Sequence, residues 1–402
     1  MSRPSRIAMA FAAACLVSPA VALDFGVMLT DESVFSGSGS AAELSQENRA
    51  VAWLSAPIGA SSSLYLSALY EFYGDFELSP GTSSSIKPYA FTAGRVEWEG
   101  FASTAAGARI GWSVGRIPFR DYSGRVAAGL FDGLKLDLAT GPLQAGVSAA
   151  YTGLTFKEDA NILIDADDEA RWLDSGAGKA LFAVPRLVVS AGARLAELVP
   201  PLDIGMEAWD QVDLDARGHV DPDTQYFEPF VEGRFSRSVR WRLWGVAGLG
   251  QDPGFFYSMA GGGMLRYALP EALGLRVSGG ATWAGGDYDG AGAMRAFAPI
   301  TLGSLMTVAG TAFSDALALS LDASVAPAPG LSAAVGISAA FRPGAAAPYL
   351  GIEGSATLSY RPVNDFSASA TGGLFIPGGE ADPDAAAAWS VSASAADRKS
   401  VV

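Results

Sequence analysis

The chain has one cysteine and one histidine among its 402 residues, and both shortages exclude chemistry. Cys15 lies within the first 22 residues, together with Arg3, Arg6, an apolar stretch from Ile7 to Val17 and the triplet Ala20-Val21-Ala22. A positive start, a short apolar core and an A-x-A site read as a secretory signal peptide, residues 1–22. A core of about eleven residues is too short for a spanning helix. Ala12-Ala13-Ala14-Cys15 is a loose lipoprotein box, the less economical reading because so little apolar sequence precedes it. Cleavage leaves a cysteine-free chain from Leu23, without a disulfide framework or thiolate chemistry. His219, within Arg217-Gly218-His219-Val220-Asp221, is the only candidate base for a serine nucleophile, and zinc needs three or four nitrogen or sulfur ligands. Neither catalytic residues, nor metal, nor cofactor is expected, and the chain does not read as an enzyme.

Long hydrophobic runs are also missing: no segment after the leader offers eighteen consecutive apolar residues, so no transmembrane helix is expected. Charge is sparse, at 17% of residues, and one-sided. Without the leader, 25 cations face 42 acids, a net charge near −17. That balance argues against a nucleic-acid partner. The chain is still half hydrophobic, with 48 glycines, which is too apolar for disorder. An exported, apolar chain without spanning helices has the composition of a closed β-barrel.

What the sequence does contain is alternation. In Leu317–Phe341, Leu317, Leu319, Leu321, Ala323 and Val325 alternate with small or polar residues. Pro327, Pro329 and Gly330 interrupt, and Leu331, Ala333, Val335, Ile337, Ala339 and Phe341 resume on one face. A period of two on both sides of a turn predicts a β-hairpin. The same pattern recurs from a short first strand, Asp24 to Thr30, through the pair around Thr140-Gly141-Pro142 and on to Ala395. It predicts an all-β fold, a transmembrane antiparallel barrel of about 18 strands (16–20 possible), over residues 23–396 with a tail at 397–402. Short Pro, Gly and Ser connectors at 59–62, 140–142, 199–201, 236–238, 270–274, 326–330 and 361–365 alternate with longer, acidic ones at 31–48, 74–85, 157–179, 213–224, 285–314 and 377–387. A β-sandwich would match strand by strand but would not produce that asymmetry. Nor would it place Tyr73, Trp98, Tyr151, Trp283, Tyr360 and Trp389 near strand ends, where they suit two aromatic girdles.

The inward face is expected to carry the chemistry. Lys87, Arg95, Arg109, Lys135, Arg186, Arg194, Arg234, Arg240, Arg242, Arg266 and Arg276 alternate with outward apolar residues, and Glu97, Glu99, Asp137, Asp203, Glu207, Glu228, Glu232, Asp322 and Glu353 share their face. Charges there require water or a partner, so they form either a stiffening salt-bridge lattice or a field that orients polar solutes. The segment from Asp287 to Ser314 is too apolar for an exposed loop. Folded inward it would be a constriction, with Asp287, Asp289 and Arg295 as its charged candidates; an extra strand pair or an adhesive tip are the alternatives. Asp165, Asp167, Asp168 and Glu169, with Asp221, Asp223, Asp382 and Asp384, read as a solvated acidic rim; EF-hand spacing is missing. Gly176-Ala177-Gly178-Lys179 is followed by Ala180, so the hydroxyl a P-loop requires is absent.

By this pattern the chain resembles Gram-negative outer-membrane porin-like barrels, including the alginate-export and related substrate-channel families. The wall sequence Gly115-Arg116…Asp121…Phe131-Asp132-Gly133 is similar to the Gly-Arg and Asp-Gly elements of porin walls, while the ending Arg398-Lys399-Ser400-Val401-Val402 lacks the usual terminal aromatic. The resemblance implies an outer-membrane location, contact with membrane lipid, and passive diffusion of small polar solutes, possibly anionic, through a monomer or homotrimer. A closed surface barrel that binds a partner through its loops, or a hydrophobic-solute channel, are the other functions such a barrel could serve.

Overall fold

The computed structural model describes residues 23–39, 41–78, 85–156, 160–164, 168, 182–199, 201–214, 223–252, 254–287, 294–344, 348–378 and 386–401. The expected leader, His219, Asp289 and most of the acidic residues at 165–169, 221 and 382–384 lie outside the described residues, as does the side chain of Lys87.

Eighteen strands form one sheet: β1 Asp24–Ser38, β2 Ala41–Pro57, β3 Ser62–Glu77, β4 Ser85–Ser103, β5 Arg109–Arg120, β6 Ala128–Thr140, β7 Leu143–Tyr151, β8 Arg186–Val199 and β9 Leu202–Asp213 make the first half. β10 Asp223–Arg234, β11 Val239–Asp252, β12 Gly254–Leu269, β13 Leu275–Ala284, β14 Ala316–Ala328, β15 Leu331–Phe341, β16 Tyr349–Val363, β17 Phe366–Pro377 and β18 Ala388–Val401 make the second. Each strand pairs antiparallel with its neighbours in sequence, and β1 pairs with β18 to close the ring. Closure gives every strand a neighbour on both sides, so the sheet has no edge strand. No described helix is long and apolar enough to cross a membrane.

Alternation decides which side each residue faces. Leu319, Leu321, Val335, Ile337, Leu358, Leu374 and Val391 are outward and exposed, while Ser320, Ser338 and Ser394 between them face the lumen. The expected outer aromatics Trp98, Tyr151, Trp283, Tyr360 and Trp389 fall on the outward register. Tyr73 does not: it pairs with Glu47 on the inward face of β2–β3. Its position near a strand end suggested a girdle, but side is set by parity, and Tyr73 is out of phase with the outward Tyr70 and Phe72.

Two expected boundaries move. Residues 31–48, expected as a polar loop, are the upper parts of β1 and β2, joined by a tight turn near Gly39. Polar cross-strand pairs such as Ser33 and Gln46 extend the ladder where apolar alternation stops. Arg116–Arg120 belong to β5, with residues 121–127 as the link to β6. Of the expected tail at 397–402, residues 397–401 are the end of β18, because Asp397, Lys399 and Val401 pair with Leu29, Val27 and Phe25 of β1. Backbone pairing to the first strand continues although the side chains have become charged.

Candidate functional site: the lumen and its constriction

The described residues of segment 285–314 add no strand to the wall. They enter the barrel from the long-loop end, where Phe297, Ile300, Met306 and Phe313 are buried. Phe297, Ile300 and Phe313 join a core inside the lumen with Ile117, Phe119, Val126, Phe131, Val188, Trp209, Tyr226, Phe230, Trp244 and Val246. Burial of that apolar surface, on the order of 2 kcal/mol per large side chain, explains why the segment does not stay in water. Polar bonds then fix it. Ile300 N donates to Val126 O (2.8 Å), Leu163 N to Ile300 O (2.9 Å) and Ala128 N to Thr301 Oγ1 (2.9 Å). Tyr226 Oη donates to Ala298 O (2.6 Å). Arg295 lies over the Phe256 ring, and Asp287, the other described candidate of this segment, is exposed near its start.

Residues 121–127 form the second inward element. Asp121 accepts from the backbone N–H groups of Val126 (3.1 Å) and Ala127 (2.8 Å) and from Ser123 Oγ. This tight Asx-type loop needs Gly124 at φ +69°. The loop docks on three acids from neighbouring strands. Tyr122 N donates to Glu207 (3.1 Å), Ser123 N to Glu228 (2.8 Å) and Tyr122 Oη to Glu232 (2.8 Å). The Tyr122 ring stacks on Phe230 at 3.7 Å. Burial first, and the bond to Glu232 second, raise the Tyr122 pKa, so its hydroxyl remains a donor. Arg125 bridges both inward elements by donating to Ser304 O (3.0 Å) and lying over Phe313. Burial lowers its pKa.

Across the lumen the tip of the long segment is held by one carboxylate. Glu353 of β16 accepts from Thr307 N (2.9 Å), Val308 N (2.7 Å) and Ala309 N (3.2 Å). Glu353 was an inward charge by alternation alone; its partners, 44 to 46 residues away, are not coded by any local pattern. Asp121, by contrast, has a local signal that could have found it, the turn sequence Asp121-Tyr122-Ser123-Gly124.

The inward charges divide into two sets. Arg95 pairs with Glu97, Arg194 with Asp203 and with Glu232 (2.6 Å), and Arg234 with Glu197 at 3.6 Å. Lys135 stands 3.6 Å from Asp137, and Arg109 lies over the Phe101 ring. Arg186 pairs with Asp168 and also donates to Leu163 O (2.6 Å). Asp168, expected on a solvated rim, is therefore a fully buried residue inside the barrel, because Arg186 gives it a partner where water is excluded.

The second set has no such partners. Among the described residues no carboxylate lies within ion-pair distance of Arg240, Arg242, Arg266 or Arg276. Arg240 and Arg266 are direct cross-strand neighbours on β11 and β12, and Arg276 follows on β13 opposite Ser324. Like charges placed side by side repel, and the wall tolerates them only beside water or an anion. With Arg237, the three arginines Arg240, Arg266 and Arg276 line a cavity of about 670 Å³ at the short-turn end, and Asp322, Ser324, Ser355 and Thr357 line its other side. A second cavity, about 560 Å³, lies below Tyr122 between Arg109, Lys135, Arg194 and Glu207.

No protein-family model and no curated protein matches the sequence. The fold, however, has solved counterparts. It superposes on Pseudomonas aeruginosa OccK7 (OpdD) with a TM-score of 0.63 at 11% identity, covering 95% of this chain and 100% of that one. Pseudomonas aeruginosa OpdL gives 0.61 at 14% identity, with 95% and 99% coverage. Pseudomonas aeruginosa OpdK, solved with vanillate, gives 0.57 at 13%, with 94% and 99% coverage. At these identities the likeness is one of fold.

Proposed function

We propose that the chain is an outer-membrane channel for passive diffusion of small polar solutes, anions in preference, and not an enzyme. The short turns would face the periplasm and the long segments the outside, as bacterial barrels have them. The observation that carries the reading is the run Arg240, Arg266 and Arg276, without a carboxylate at ion-pair distance among the described residues, along a lumenal cavity bordered on its other side by Asp322 and the hydroxyls of Ser324, Ser355 and Thr357. A cationic stripe in a narrow, water-filled passage with low-dielectric walls concentrates anions. Fold neighbours of this chain are outer-membrane channels, and the vanillate of the OpdK structure is a carboxylate, so aromatic carboxylates are the first solutes to offer.

Purified protein in planar bilayers tests this. Conductance with anion selectivity is expected, and the double reversal Arg240→Glu/Arg266→Glu should make the channel cation-selective. A barrel that is folded but does not conduct would support the partner-binding alternative instead.

A further inference from the structure

The tip of the long inward segment, Thr307 to Ala309, presents its backbone as a cup for an anion. Three successive N–H groups of one turn converge on a single carboxylate, that of Glu353. Gly310 follows in the left-handed region, at φ +61°. Successive amides aimed at one point make an anion-binding concavity whatever side chains flank them. The wall provides a seat for the cup. Val308 lies over Gly373 of β17, where a Cβ would stand 2.5 Å from the valine Cγ2.

One kind of chemistry ties this tip to the wall. Among the described residues, the only hydrogen bonds from 305–311 to β14–β18 are those that end on Glu353. Glu353 is 5% exposed, and no described cation stands within ion-pair distance of it. Its charge is met by the amide cup alone. The cup also borders the passage. Thr307 and Gly310 are exposed, and Ser338 pairs with Glu353 across β15 and β16. Ser355, the next inward residue of β16, lines the arginine-edged cavity, about 7 Å along the strand from Glu353.

We propose that the cup at Thr307 to Ala309 is a binding site for the carboxylate of a passing solute, and that Glu353 fills it as a built-in competitor. The exchange is chemically even. One carboxylate leaves the three N–H groups and another takes them, so no buried donor loses its acceptor. A tethered carboxylate has an effective concentration of about a millimolar or more, so a free one holds the cup only briefly. Passage requires that weakness, because a site on a diffusion path must release what it attracts. A neutral solute of the same shape brings no charge to the cup and leaves the Glu353 contact in place.

The proposal rests on the channel reading for its solute, and its test reads binding instead of current, so the two fail separately. The chain from Leu23 onward is folded in detergent micelles, with migration of unboiled protein as the check on folding. Benzoate and benzamide are titrated, and binding is followed by saturation-transfer NMR of the ligand. Glu353→Ala vacates the cup and should tighten benzoate binding about tenfold, with benzamide unchanged. Loss of a negative charge near the arginines favours benzoate by itself, so Glu353→Gln is the control. It removes the same charge but leaves an amide oxygen in the cup, and its benzoate affinity should stay within about threefold of native. Equal tightening in the two variants would overturn the proposal, as would a folded Glu353→Ala protein that binds benzoate no better than native. Native protein gives a second readout that needs no variant to fold. With isotope-labelled valine, the Val308 amide resonance should move on adding benzoate and not benzamide; a resonance that stays in place at saturating benzoate would also overturn the proposal. A barrel that binds benzoate as expected but carries no current would count against the channel reading alone.

Discussion

The two sides of the inner wall follow the same strand pattern and serve opposite ends. From β5 to β13 the inward residues include Ile117, Phe119, Phe131, Val188, Trp209, Tyr226, Phe230 and Trp244, and the inward segments pack against them. From β14 to β18 they include Ser320, Asp322, Ser324, Gly336, Ser355, Thr357, Ser369, Thr371 and Ser394, several of them hydrogen-bonded pairwise across strands. Outside, both sides expose apolar side chains, such as Leu134, Leu136 and Leu243 on the first and Leu319, Ile337 and Leu374 on the second. Barrel formation thus depends on the outward half of the alternation, and the inward half decides whether the lumen is filled or open.

Each side can be pushed toward the other's behaviour. The largest effect is expected from filling the open side. Ser355→Trp projects a ring into the arginine-lined cavity, and single-channel conductance should fall several-fold; an unchanged conductance would mean solutes pass elsewhere. Next comes emptying the filled side. Phe297→Ala with Phe313→Ala removes two buried rings from the lumenal core, each worth about 3 kcal/mol. Thermal melting should show an early loss of tertiary signal from the inward segments while the barrel's β signal persists.

A smaller change is expected where the two sides are tied together. Glu353→Ala leaves three backbone N–H groups of the segment tip without their acceptor, and current recordings should show added open-state noise, whereas Glu353→Gln, keeping one carbonyl, should show less. The smallest effect is expected from the paired charges. Arg194→Gln should lower stability by about 1 kcal/mol or less, since its guanidinium is a third exposed, and selectivity should stay within error of the native channel. A selectivity change there as large as that of Arg240→Glu would erase the distinction between paired and unpaired arginines.

Much of this was legible in the sequence for one physical reason: a membrane wall constrains every second residue. That constraint made the strand count, the alternation of short and long connectors and the inward register of Arg240, Arg242, Arg266 and Arg276 readable before any coordinates. Where lipid does not constrain the chain, reading failed. Residues 31–48 are too polar to look like strands but still pair, and Lys399 pairs with Val27 whatever its charge. Apolarity in 285–314 signalled burial without saying against what, because Phe297 meets Tyr226 and Phe313 only through tertiary packing. Which arginines are paired was hidden for the same reason. Asp203 reaches Arg194 across a strand pair, and Asp168 reaches Arg186 from a segment that the sequence placed outside the barrel.

The central claim, that unpaired arginines bordering an open lumen make this barrel an anion-preferring channel, is tested most directly by the reversal potential of the unmodified protein across a tenfold potassium chloride gradient. The account predicts conductance with a reversal potential displaced toward the chloride equilibrium potential. A displacement toward the potassium potential, or a folded barrel with no current, would contradict it.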